Sequence, residues 1–120
     1  MVYTAFLYSE LIWYSFCMIN NITSRELSEI FQNEDANNVI VDIRNPHELE
    51  SGKIRNAINI PMDTLKEHLD DLRGRANVYL VCRSGKRSEI AAEDLEKQNI
   101  HSVILKGGIT SWEEEGLPLE

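Results

Sequence analysis

The stretch Val78-Tyr79-Leu80-Val81-Cys82-Arg83-Ser84-Gly85-Lys86-Arg87-Ser88 joins two different kinds of sequence. Val78 to Val81 is a continuous apolar run, the pattern of a strand buried on both faces of a parallel sheet. Beyond the run, Ile90, Ala91 and Leu95 mark one face of a helix, which is predicted to begin near Ser88. A cysteine, a glycine and three cations fill the connection. Ligands of open parallel sheets bind beyond the carboxyl ends of the strands. Cys82 is therefore expected in a cleft and not in the core.

The same alternation extends in both directions. Upstream, Thr23-Ser24-Arg25-Glu26 reads as a capping box that opens a helix carrying Leu27, Ile30 and Phe31 on one face. Val39-Ile40-Val41 is a second buried strand, and Asn45-Pro46 starts a short helix that Gly52 ends. Ala57 to Ile60 reads as a short strand stopped by Pro61. Leu65, Leu69 and Leu72 then mark a helix that stops at Gly74. Downstream, Val103-Ile104-Leu105 is a strand followed by Gly107-Gly108 and a last helix with Trp112. Strands alternating with helices predict an α/β fold: a mostly parallel central sheet, right-handed crossovers and helices on both faces.

The chain of 120 residues suits one domain, with a formal net charge of -8. That charge argues against nucleic-acid binding, which needs a basic field. It also gives weight to a local cluster of cations at Arg83, Lys86 and Arg87. Two cysteines, Cys17 and Cys82, are too few for a disulfide scaffold. His47, His68 and His101 are isolated from one another, so no metal site and no cofactor are expected. Residues 1–19 hold Tyr3, Phe6, Tyr8, Trp13, Tyr14 and Phe16 and no Lys or Arg. They lack the basic start and small-residue cleavage site of a secretory signal, and Glu10 interrupts the apolar run, so no membrane span is expected. A cytoplasmic location follows as the expectation. Two readings of this extension stand: an amphipathic helix through Leu7, Leu11, Tyr14 and Met18, or added codons ahead of a natural start at Met18. The domain proper is placed at 20–120, as a monomer or as a weak homodimer through residues 1–19.

The chemistry is expected at Cys82. A thiolate, not a thiol, is the nucleophile, and a free cysteine titrates near ~8.5. Arg83, Lys86 and Arg87 bring positive charge into the loop, the following helix points its N–H groups at it, and a turn through Gly85 can gather further amides into an anion nest. All three favour the anion. Cys17, with no basic neighbours, reads as an inert apolar residue.

Several separated motifs resemble the rhodanese family of single-domain sulfurtransferases. Val41-Asp42-Ile43-Arg44 with Glu48 is similar to the family's early acidic and basic element. Ser51 to Pro61 resembles its Gly-His-Ile-x-Gly-Ala-x-Asn-Ile-Pro element, with Lys53 in place of the usual His and Asn56 in place of a frequent Gly. Val81 to Ser88 resembles its active-site loop, and Leu105-Lys106-Gly107-Gly108 through Trp112, Gly116 and Pro118 its ending. The resemblance implies that Cys82 takes a sulfur from a small anionic donor such as thiosulfate. The resulting persulfide would pass to cyanide, a thiol or a thioredoxin-like acceptor. It implies that Arg83, Ser84, Gly85, Lys86 and Arg87 hold the anion, and that Asp42 and Arg44 support the site. An alternative for Arg44 is an ion pair with Glu48 four residues on. Two alternative functions stand beside this one: a cysteine-dependent phosphatase of the same fold, and a binding or sulfur-relay module. The first normally has five residues between Cys and Arg, and here there are four, Arg83 to Lys86.

Overall fold

The strand of the decisive stretch, β4 (Asn77–Val81), lies in the middle of a five-stranded sheet. The computed structural model describes residues 20–32 and 37–120; the expectations for residues 1–19 and for Cys17 lie outside them. In chain order the elements are β1 (Asn21–Ile22), α1 (Ser24–Ile30), β2 (Asn38–Asp42), a 3-10 helix (Pro46–Ser51), β3 (Ile58–Asn59), a second 3-10 helix (Met62–His68), α2 (Leu69–Arg73), β4, α3 (Lys86–Lys97), β5 (Val103–Leu105) and α4 (Gly108–Glu114). The strand order is β1-β5-β4-β2-β3, and every pairing is parallel.

The period of two along each strand divides the core into two layers. Val39, Val41, Val78 and Leu80 face one side, where they meet Leu65, Leu72, Ala91, Ala92 and Leu95. Ile40, Tyr79 and Val81 face the other, against Leu27, Ile109 and Trp112. Helices on both faces are what the unbroken apolar runs require. The fully buried Leu80 alone contributes about 1.5–3 kcal/mol by leaving water.

Local signals set the boundaries. The capping box at α1 forms as expected: the Glu26 N–H donates to Thr23 Oγ1 at 3.2 Å, and the Thr23 N–H donates to Glu26 Oε1 at 3.1 Å. Asn56, where the resembled family often has Gly, takes a left-handed φ of 68°, a conformation asparagine tolerates.

Four expectations need correction. The helix over Leu65 to Leu72 is two pieces, because His68 (φ -115°, ψ 17°) leaves helical geometry between them. The strand at Ala57–Ile60 shortens to Ile58–Asn59. Helix α3 begins at Lys86, not near Ser88. Ile90 is 54% exposed, while Ser88, Ala91, Ala92 and Leu95 form the buried face. At 3.6 residues per turn, Ile90 stands about 140° around the helix from Leu95, so the two cannot share a face. The edge strand β1, two residues long, gave no pattern in the sequence.

Candidate active site

Cys82 follows directly on β4 and continues its alternation onto the face of Val78 and Leu80. It is therefore buried, at 1% exposure, and not in an open cleft as expected. The reason is the strand's own period: a residue two beyond Leu80 points the same way as Leu80. Its sulfur ends beneath the loop that follows. The Gly85 N–H donates to Cys82 Sγ at 3.0 Å. Gly85 occupies the cap of α3 with φ 103°, and no side chain caps that helix start. The first N–H groups of α3 are thus left without intrahelical partners at the loop.

A second loop shapes the first. The Cys82 carbonyl accepts the Ile109 N–H at 2.9 Å, and the Arg83 carbonyl accepts the Thr110 N–H at 3.1 Å. These donors lie in the first turn of α4. In a trans peptide the N–H points opposite to the C=O. The Arg83 and Ser84 amides are therefore turned away from α4. Gly108 makes this contact possible, since a Cβ there would collide with the carbonyl oxygens of Cys82 and Arg83. Gly107-Gly108 was visible in the sequence as a motif, but its role against the loop was not. Ser88, in the first turn of α3, is fully buried with an Oγ that has no hydrogen-bond partner among the described residues.

The candidate anion-holding residues divide into two groups. Arg83, Ser84 and Lys86 are exposed, and neither cation makes an ion pair among the described residues. Arg87 is committed instead. Its Nη1 donates to Glu48 Oε2 at 2.9 Å and its Nη2 to Glu48 Oε1 at 3.0 Å. The Arg87 guanidinium holds the Glu48 carboxyl down to about 2, burial opposing; the Asn45 N–H and the charges of Arg87 and His47 help in turn. Reciprocally, Glu48 raises the Arg87 pKa, with smaller attractions to Cys82 and Asp42. Nothing in the spacing around Glu48 points to this partner, which lies 39 residues away.

Asp42 and Arg44 pair with each other, and both are fully buried. Arg44 Nη2 donates to Asp42 Oδ2 at 2.7 Å and Nε to Asp42 Oδ1 at 2.9 Å. The remaining guanidinium contacts go to the carbonyls of Glu48 at 3.2 Å and Gly52 at 2.9 Å. The alternative Arg44–Glu48 ion pair does not form: Arg44 takes the backbone of Glu48 and leaves its carboxylate to Arg87. A buried ion pair is tolerable only when its lone pairs and protons are satisfied in this way. Asn59 Nδ2 bridges the carbonyls of Asp42 and Arg44 at 2.9 Å each, tying the end of β2 to β3. A connected path thus runs from the core strand β2 through Arg44 and Glu48 to Arg87 at the head of α3.

The family model for the rhodanese-like domain matches residues 23–115. The chain belongs to the rhodanese-like family. A protein of Allochromatium vinosum named a sulfurtransferase is 36% identical over 104 residues, which cover 85% of this chain and 95% of that one. Among solved structures, a rhodanese-like domain protein from Staphylococcus aureus has a TM-score of 0.73 at 36% identity, covering 84% of this chain and 98% of the other. A rhodanese-related protein from Thermoplasma volcanium has a TM-score of 0.74 at 35% identity, covering 84% and 97%. At the level of the family, this rhodanese-like domain is a sulfurtransferase-type protein with the parallel α/β fold expected from its sequence. Among the described residues no helix is long and apolar enough to cross a membrane.

Proposed function

We propose that this rhodanese-like domain transfers sulfane sulfur through a persulfide on Cys82. The observation that carries the reading is the Gly85 N–H aimed at Cys82 Sγ at 3.0 Å, at the uncapped start of α3. Amide donors fixed around a sulfur stabilise charge there without reorganising during the reaction. The Cys82 thiolate attacks the outer sulfur of a donor. The new Cys82 S–S bond forms as the donor's S–S bond breaks, and its electron pair leaves with sulfite or a thiolate. An acceptor thiolate or cyanide then attacks the terminal persulfide sulfur and returns Cys82 to the thiolate, a two-step covalent cycle. Thiosulfate and small persulfides suit the site because each presents a terminal sulfur to a deeply set cysteine. Arg83 and Lys86, exposed and without an ion pair among the described residues, attract such anions into an acidic protein. Asp42 and Arg44 act as supports, through Glu48 and the end of β2.

Mass measurement after incubation with thiosulfate tests the proposal. The expected result is a gain of one sulfur atom on wild type, located at Cys82 and removed by cyanide, with no gain on a folded Cys82→Ser variant. No sulfur uptake from either thiosulfate or a small persulfide, together with Cys82-dependent hydrolysis of phosphate esters, would reverse the reading in favour of the phosphatase alternative.

A further inference from the structure

Resting on the sulfur-transfer reading, we infer that Glu48 is a positioning residue that sets the donor charge the site prefers, favouring a singly charged persulfide over dianionic thiosulfate. The geometry supplies the argument. Glu48 engages both terminal nitrogens of Arg87 in a two-pronged pair at 2.9 and 3.0 Å. The pair is only partly open to solvent, at 19% for Glu48 and 35% for Arg87. Arg44 and Asn45 fix the Glu48 backbone and carboxylate from the other side, through the Glu48 carbonyl and the Asn45 N–H. Arg87 therefore cannot swing toward a donor without breaking a fitted charge pair.

The charges around Cys82 follow from these contacts. Asp42 and Arg44 neutralise each other. Of the three loop cations, Arg87 is cancelled by Glu48, which leaves Arg83 and Lys86. A thiolate at Cys82 sets one negative charge against these two, so the loop's formal charge left for the donor is one positive unit. A persulfide with one negative charge matches that remainder, and thiosulfate exceeds it. Both donors fit the same transfer. Cys82 thiolate plus an alkyl persulfide anion gives Cys82 persulfide plus alkyl thiolate, and thiosulfate gives sulfite by the same exchange of S–S bonds.

The test is the Glu48→Gln variant, whose amide oxygen still accepts from Asn45 and from one arm of Arg87. With the Glu48 charge gone, Arg87 is free to turn its charge to the donor; Coulomb energy scales with the product of charges, so the freed guanidinium favours a dianion twice as strongly as a monoanion. At low salt, kcat/KM with thiosulfate is expected to rise about tenfold and with the persulfide of 2-mercaptoethanol about threefold, both gains shrinking as salt is added. In an Arg87→Gln background the thiosulfate gain is expected to fall below about twofold, because no guanidinium is there to be released. Equal factors for the two donors, a loss with both, or a full gain without Arg87 would overturn the inference while leaving persulfide formation intact. Wild type that forms no persulfide with either donor would overturn this inference and the proposed function together.

Discussion

Replacing Gly108 by alanine should separate the shape of the active loop from the stability of the fold. Gly108 has φ +58°, and its missing Cβ leaves room for the carbonyl oxygens of Cys82 and Arg83. An alanine there meets two penalties. The left-handed backbone costs about 1–2 kcal/mol for a residue with a Cβ. Relieving the collision pushes α4 and the loop apart, which weakens the Ile109 and Thr110 hydrogen bonds to the loop, each contributing about 0.5–1.5 kcal/mol net. The sum is about 2–5 kcal/mol, within reach of the ~5–15 kcal/mol by which such domains are stable. Gly116 is the matched control, since it has φ +73° and nothing within 4 Å of its Cβ position. Gly116→Ala should lose only the backbone cost of about 1–2 kcal/mol. Denaturant unfolding gives the stabilities, and sulfur transfer is assayed where both variants remain folded. A loop displaced by about 1 Å should lower kcat/KM about 100-fold in Gly108→Ala, with Gly116→Ala near wild type. If folded Gly108→Ala transferred sulfur within twofold of Gly116→Ala, the β5–α4 connection would not shape the loop.

Two further outcomes follow from the charged network. Arg44→Met should destabilise the domain by about 3–5 kcal/mol, because Asp42 is left buried without its partner; adding Asp42→Asn should restore part of the loss, and a single-variant loss below about 1 kcal/mol in denaturant unfolding would contradict the buried-pair argument. Glu48 titrates at about 2 in the fold against a usual 4.5, so its contribution to stability is complete above 4.5 and is lost as pH falls toward 2. The stability difference between wild type and Glu48→Gln should accordingly shrink across that window, and a difference that stays constant there would show that the Arg87 pair adds nothing to folding.

Much of the fold was legible because its signals are local. The runs at Val39–Val41, Val78–Val81 and Val103–Leu105 are continuous and short, so they read as central parallel strands. Thr23 and Glu26 announce a helix start by spacing alone. The errors lie where neighbouring residues give no clue. Ile90 and Ala91 are both apolar, and only the sheet beneath α3 selects the small residue. The alternation Val78, Leu80, Cys82 did contain the signal for burial, but the position of Cys82 at a strand end drew the expectation toward a cleft.

The candidate active-site loop itself was visible from residue types: a cysteine, a glycine and three cations between a strand and a helix. Their division of labour was not. Arg44 has an acid four residues ahead and another two residues behind, and spacing cannot choose between them. Folding chooses Asp42, because the end of β2 buries both side chains where only a fully satisfied pair is stable. That choice frees Glu48 for Arg87, 39 residues away in sequence. Local chemistry in the chain determined the strand, the loop and the candidate nucleophile. Which cations remain open to a ligand was decided by packing, because charge pairing depends on distances across the sheet that no stretch of sequence contains.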